Sequence, residues 1–132
     1  MNVQVAVLCD AATNTEEKLN LLGAFDSIFT PQLPTVHPMC TVALRITFSH
    51  DEEGAHQLRF RFVDEDGGAI VKAIDMSIQI ALPGDAHFVT RNFIVNYQQL
   101  EFKKPGMYSV DVSLDGHQCA SIPLFVKRMS PA

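Results

Sequence analysis

Period-two alternation is the feature that most restricts how this chain can fold. Val42, Leu44, Ile46 and Phe48 share one parity, while Ala43, Arg45, Thr47 and Ser49 share the other. Successive side chains of an extended strand point to opposite faces, so the pattern predicts a half-buried β-strand. The same reasoning applies to Leu58, Phe60 and Phe62, to Ile74, Met76, Ile78, Ile80 and Leu82, and to Tyr108, Val110, Val112 and Leu114. Ile122, Leu124 and Val126 make a last strand, with Pro123 on the opposite parity. Its missing amide predicts an edge position or a strand entrance.

Turn chemistry separates these runs: Asp51-Glu52-Glu53-Gly54, Asp64-Glu65-Asp66-Gly67-Gly68, Pro83-Gly84-Asp85, Pro105-Gly106 and Asp115-Gly116. Asp115-Gly116 lies directly between two alternating runs. A type I′ hairpin turn needs positive φ at both central residues, which Asp and Gly tolerate best. From Phe88 to Phe102 the parity changes, with Phe93, Val95 and Tyr97 on one face and Leu100 and Phe102 on the other; a bulge near Gln98-Gln99 would reconcile them. Thr15 to Leu22 carries helix-start signals (a Thr15 cap, Glu16 and Glu17 in the first turn, Gly23 as a stop), yet Leu19, Leu21, Gly23 and Phe25 alternate, which favours a strand. Thr30 to Pro38, with Pro31, Pro34 and Pro38, reads as an extended crossing between sheets rather than as a polyproline ligand.

About eight short strands with regular turn signals and almost no helix predict an all-β fold: a single antiparallel β-sandwich of immunoglobulin-like type spanning residues 1–132. A small closed β-barrel is the alternative. At 132 residues with 47% hydrophobic and 19% charged residues, the chain can build one core and is unlike disordered or coiled-coil sequences. The net charge of −5 and the scattered Lys and Arg argue against nucleic acid as a partner. Arg59 and Arg61 alternate with Phe60 and Phe62, so the basic residues solvate one face while the aromatic ones fill the core.

The segment Met1 to Asp10 lacks the cationic start and unbroken apolar stretch of a leader peptide, and no later run approaches the ~18 apolar residues of a membrane span. Three cysteines (Cys9, Cys40, Cys119) with no C-x-x-C spacing fit free thiols in a reducing compartment. The expectation is a cytoplasmic chain with no membrane partner.

Catalytic wording is scarce. There is no Gly-x-Ser-x-Gly elbow, dinucleotide fingerprint, P-loop or His-Glu-x-x-His. Sequence alone therefore assigns no catalytic residue and no cofactor. His37-x-x-Cys40 and His117-x-Cys119 hold ligand types that zinc uses, but their spacing argues against a site. The better metal candidates are carboxylates crowded in two turns, Asp51, Glu52 and Glu53 in one and Asp64, Glu65 and Asp66 in the other, because hard cations such as calcium want several oxygens. Acidic turns also arise simply because Asp favours turns and charge keeps hairpin tips soluble. His50 and His56 flank the first of these turns and could face each other across it beside carboxylates that raise their pKa values. Tyr108, just after Pro105-Gly106, sits where the corner tyrosine of immunoglobulin-like domains bonds back to the backbone.

Met1 to Asp10, Lys18 to Phe29 with its Leu21-Leu22-Gly23-Ala24-Phe25-Asp26 core, Phe62 to Gly67, Tyr108 to Gly116 and Ser121 to Val126 together resemble a family of short bacterial proteins known only as a domain of unknown function. The resemblance implies a compact, mainly β domain and no reaction. The function expected is a non-catalytic binding or scaffold module whose partner is another protein or a second copy in a homodimer. A small-ligand or calcium-binding protein, or an enzyme, with its site in the acidic loops is the rival.

Overall fold

The alternating runs become strands because their apolar parity meets a second apolar face. The computed structural model describes residues 1–129; the expected domain end at 132 lies outside them. Nine strands form among the described residues: β1 (Asn2–Thr15), β2 (Lys18–Phe25), β3 (Ser27–Thr30), β4 (Thr35–Phe48), β5 (Gly54–Asp64), β6 (Ile74–Ile80), β7 (Val89–Phe102), β8 (Gly106–Leu114) and β9 (His117–Arg128). The only helical element among the described residues is the 3-10 turn His50–Glu52. Two sheets result, ordered β2-β1-β4-β7 and β3-β9-β8-β5-β6. The strands thus divide between two layers instead of closing into one barrel.

The layers share one core. Leu44, Ile46 and Phe48 from the first sheet and Leu58, Phe60, Phe62, Val110 and Val112 from the second are wholly inaccessible. Aromatic edges join the layers: Phe62 meets Tyr97 at 5.4 Å between ring centroids, and Phe102 meets Tyr108 at 5.0 Å, both T-shaped. Such pairs contribute about 0.5–1.5 kcal/mol each beyond their area burial. The Tyr97 hydroxyl has no hydrogen-bond partner among the described residues, and burial pushes its pKa up to about 12.

Four expectations are corrected in detail. The fold is not wholly antiparallel: β3 runs parallel to β9, with Ser27 opposite Phe125. Thr30 to Pro38 does cross between sheets, but β4 already begins at Thr35, so the crossing is shorter than expected. Pro123 is not on an edge strand, since β9 lies between β3 and β8. It is tolerated because β3 is too short to reach it. The Phe125 amide donates to the Asp26 carbonyl on the β3 side, so by alternation the Pro123 nitrogen faces the same side, beyond the first rung of β3 at Phe125.

The fourth correction is the bulge near Gln98-Gln99. Gln99 does adopt a positive φ of 53°, but the β4–β7 register is the same on both sides of it, from His37 opposite Leu100 to Met39 opposite Gln98. Both strands change faces at the same rung, where Pro38 stands opposite Gln99. Pro38 has no amide to donate, so this rung has fewer ladder bonds at stake when both residues distort.

The Thr15–Leu22 segment is extended, as its alternation favoured, and not helical. Its turn is unexpected: Glu16 and Glu17 both have positive φ, 51° and 62°, joining Thr15 to Lys18 as a two-residue hairpin. The hairpin then bends back. Gly23, at φ +67°, has its Cα hydrogen against the Asp10 carboxylate, where a Cβ would overlap. The arm formed by β2 and the second half of β1 thereby reaches over the outer face of β4 and β7. Arg45 Nη1 donates to the Glu17 carbonyl at 3.2 Å, and Asn92 Nδ2 donates to Asn14 Oδ1 at 3.0 Å and to the same carbonyl at 3.1 Å.

Candidate functional site

Three connections meet at one end of the two layers: β4–β5 (residues 49–53), β6–β7 (residues 81–88) and the β8–β9 turn (Asp115-Gly116). The β8–β9 turn has the positive φ values, 51° and 82°, that its sequence demands. The acidic triplet of the β4–β5 connection builds local structure. Glu52 Oε1 accepts from the Ser49 amide at 2.9 Å and from the Ser49 hydroxyl at 3.1 Å, capping the short 3-10 turn, and lies 2.8 Å from the Met1 nitrogen. Glu53 engages His50, and Asp51 is exposed.

The second triplet lies at the opposite end and also serves its turn. Asp64 Oδ1 accepts from the amides of Asp66 at 3.0 Å and Gly68 at 2.8 Å, an Asx-type closure that Asp favours for its short side chain. Glu65 approaches Gly106, and Asp66 is exposed. Among the described residues, no three His, Cys, Asp or Glu side chains converge as a metal-binding group. Cys40 sits in the core, and the Cys9 thiol instead donates to the Ala11 and Thr41 carbonyls. Burial raises the Cys40 thiol to about 11 and also raises Cys9 and Cys119. His37 packs on Phe25, while His117 turns back to the Asp115 carbonyl.

The two loop-flanking histidines do not face each other. His56 Nδ1 lies 2.6 Å from Asp115 Oδ2 and its Nε2 lies 2.5 Å from the Glu52 carbonyl, with the ring against Phe48. His50 reaches the other way, Nδ1 to Glu53 Oε1 at 2.9 Å and Nε2 to the Ala86 carbonyl at 2.5 Å. The Asp115 carboxylate, then the Glu52 carbonyl, raise the pKa of His56; Glu53, then Ala86, raise that of His50. Asp115 is lowered in turn, chiefly by His56. Sequence reasoning placed both histidines beside the carboxylates of their own turn, as Glu53 is for His50, but not beside Asp115 or Ala86, which are distant in the chain.

Tyr108 is placed as the sequence suggests. Its hydroxyl donates to the Lys104 carbonyl at 2.7 Å, pinning the Pro105-Gly106 corner.

The feature that sequence reasoning did not locate is the free rim. β7 pairs with β4 from Val89 to Phe102 and has no strand partner on its other side among the described residues. At 14 residues it is longer than the other rim strands: β2 has 8, β6 has 7 and β3 has 4. The run of Phe93, Val95 and Tyr97 anchors it to the core. Arg91, near the start of β7, reaches to the neighbouring rim of the other sheet and donates to the Gln79 carbonyl of β6 at 3.2 Å.

A sequence profile described as "Family of unknown function (DUF6941)" matches residues 4–127. The chain belongs to that family. The match spans every strand but the ends of β1 and β9, so the family and the two-layer fold cover the same residues. Among solved structures, one similar chain is Pseudomonas fluorescens alkylpurine DNA glycosylase AlkC bound to DNA containing an abasic site analog, with a TM-score of 0.55 at 9% identity. The likeness covers 95% of this chain and 30% of that one, and at this identity it speaks to fold alone. No curated protein matches the sequence.

Proposed function

We propose that this protein is a non-catalytic binding module of immunoglobulin-like topology that takes up an extended strand, from a second copy or from another protein, along the free rim of β7. The length of that unpaired rim carries the reading. An open strand presents a row of unsatisfied donors and acceptors, which natural proteins blunt when it has no use. Here the other rims are short, whereas β7 is left long and regular up to Gln98. Strand addition uses such an edge directly: main-chain hydrogen bonds supply affinity and alternate side-chain positions supply selectivity.

The immunoglobulin-like assignment is supported by strand order. β1-β4-β7 and β9-β8-β5-β6 correspond to A-B-E and G-F-C-C′, and the tyrosine corner falls on the strand equivalent to F. Nucleic acid is no part of this reading, because Arg59 lies 3.5 Å from Asp75 and Arg61 faces Asp111 across the ladder. The absence of disulfides among three free cysteines supports residence in the cytoplasm.

A photo-crosslinking residue placed at Gln98 on the rim, compared with one at Arg61 on the outer face of β5, tests the idea. Crosslinked dimer or heterocomplex from Gln98 only is the expected result. Equal yields from both positions, or a monomer at every concentration with no adduct, would overturn it.

A further inference from the structure

The geometry points to a proton-operated latch at the loop end: the imidazolium forms of His50 and His56 fasten the β4–β5 connection to the β6–β7 connection and to the β8–β9 turn, and loss of the protons releases it. In each ring both nitrogens face oxygen acceptors, a carboxylate at Nδ1 and a carbonyl at Nε2. A neutral imidazole has one donor nitrogen and one lone pair, so it can satisfy only one of the two. Only the doubly protonated ring fits both.

The two acceptors are unequal, which decides what opens. A hydrogen bond to a charged carboxylate is about twice as strong as one to a neutral carbonyl. A neutral ring therefore keeps its proton toward Asp115 or Glu53 and turns a lone pair on the Glu52 or Ala86 carbonyl. His56 thereby lets go of the β4–β5 connection, and His50 lets go of the β6–β7 connection. The β8–β9 turn stays anchored by the Gln57 amide, which donates to Asp115 Oδ1 at 2.8 Å, and by the Asp115 amide on the Gln57 carbonyl.

The charged surroundings favour the closed form. The charges acting on the rings are Glu53 and Asp51 for His50 and Asp115 and Glu52 for His56; Asp85 and His87 flank Ala86 in the chain, His117 turns to the Asp115 carbonyl, and the Met1 nitrogen is held by Glu52. Both histidine pKa values are raised above 6.5. The fastening is therefore complete below that pH and is lost as pH rises through the raised values.

Side-chain nitrogen NMR across the titration, with chelator present, reads the protonation state. Amide exchange at pH 6 and pH 8.5, corrected for intrinsic rates, reads the opening. Both rings are expected to remain doubly protonated at pH values where the histidines of the denatured chain have titrated. Protection should fall at high pH in residues 50–56 and 83–88 while β8 is unchanged. His56→Gln should abolish the pH dependence of the β4–β5 connection. If it does not fold, His50→Asn, on an exposed side chain, should do the same for residues 83–88. Histidines that titrate as in the denatured chain, or loop protection that stays level after the rings deprotonate, would overturn the latch.

Discussion

The outer faces of the two sheets start from the same alternating pattern and end in different environments. On β5, the outward Arg59 and Arg61 are exposed. On β4, the outward Thr41 and Ala43 are wholly buried, as is Cys9 on the neighbouring strand. The difference is the bent arm of β1 and β2, which covers one outer face and leaves the other in water. A strand buried on both sides needs small or weakly polar outward residues, and Thr41, Ala43 and Cys9 are of that kind. Thr41 satisfies its hydroxyl on Asn96 Oδ1 at 2.7 Å.

The largest expected effect in that comparison is Ala43→Asp against Arg61→Ala. The first places an unpaired carboxylate under the arm and should cost about 3 kcal/mol or more in urea unfolding. The second should stay within about 0.5 kcal/mol. Equal effects would mean that the arm does not cover β4 in solution. Next comes Gly23→Ala, which adds a methyl where the Asp10 carboxylate already sits and forces a positive φ on an L-residue. A loss of about 1–2 kcal/mol is expected, together with greater exposure of the Cys9 thiol to alkylation. If stability falls but Cys9 stays shielded, the bend at Gly23 is not what holds the arm down. The smallest effect is a gain. Replacing Glu16-Glu17 by Asn-Gly supplies residues suited to positive φ at the arm's tip and should stabilise by about 0.5–1 kcal/mol. No gain would place the real turn elsewhere.

Much of the fold was legible because burial on one face leaves a period in the sequence: Val42 to Phe48, Leu58 to Phe62 and Tyr108 to Leu114 all became strands. The Asp115-Gly116 turn was legible because its backbone conformation restricts residue choice. The Glu16-Glu17 turn was not, since glutamate carries no such signal and the conformation is imposed by the contacts of Glu17 with Arg45 and Asn92. The parallel β3 was hidden by its brevity. At the candidate sites, the acidic triplets were visible as clusters, but their duties as cap and turn closure depend on distances of a few ångström. The β7 rim could not be read at all, because a missing neighbour is a property of topology and leaves no trace in the strand's own residues.

The shared reversal at Pro38 and Gln99 has a consequence for how this architecture can drift. Because both strands turn over on the same rung, an insertion of one residue in either alone would send every position beyond it to the wrong side. One residue added to both strands would keep their pairing and still turn both over, so this seam accepts only changes that a bulge absorbs or that come in twos on both strands.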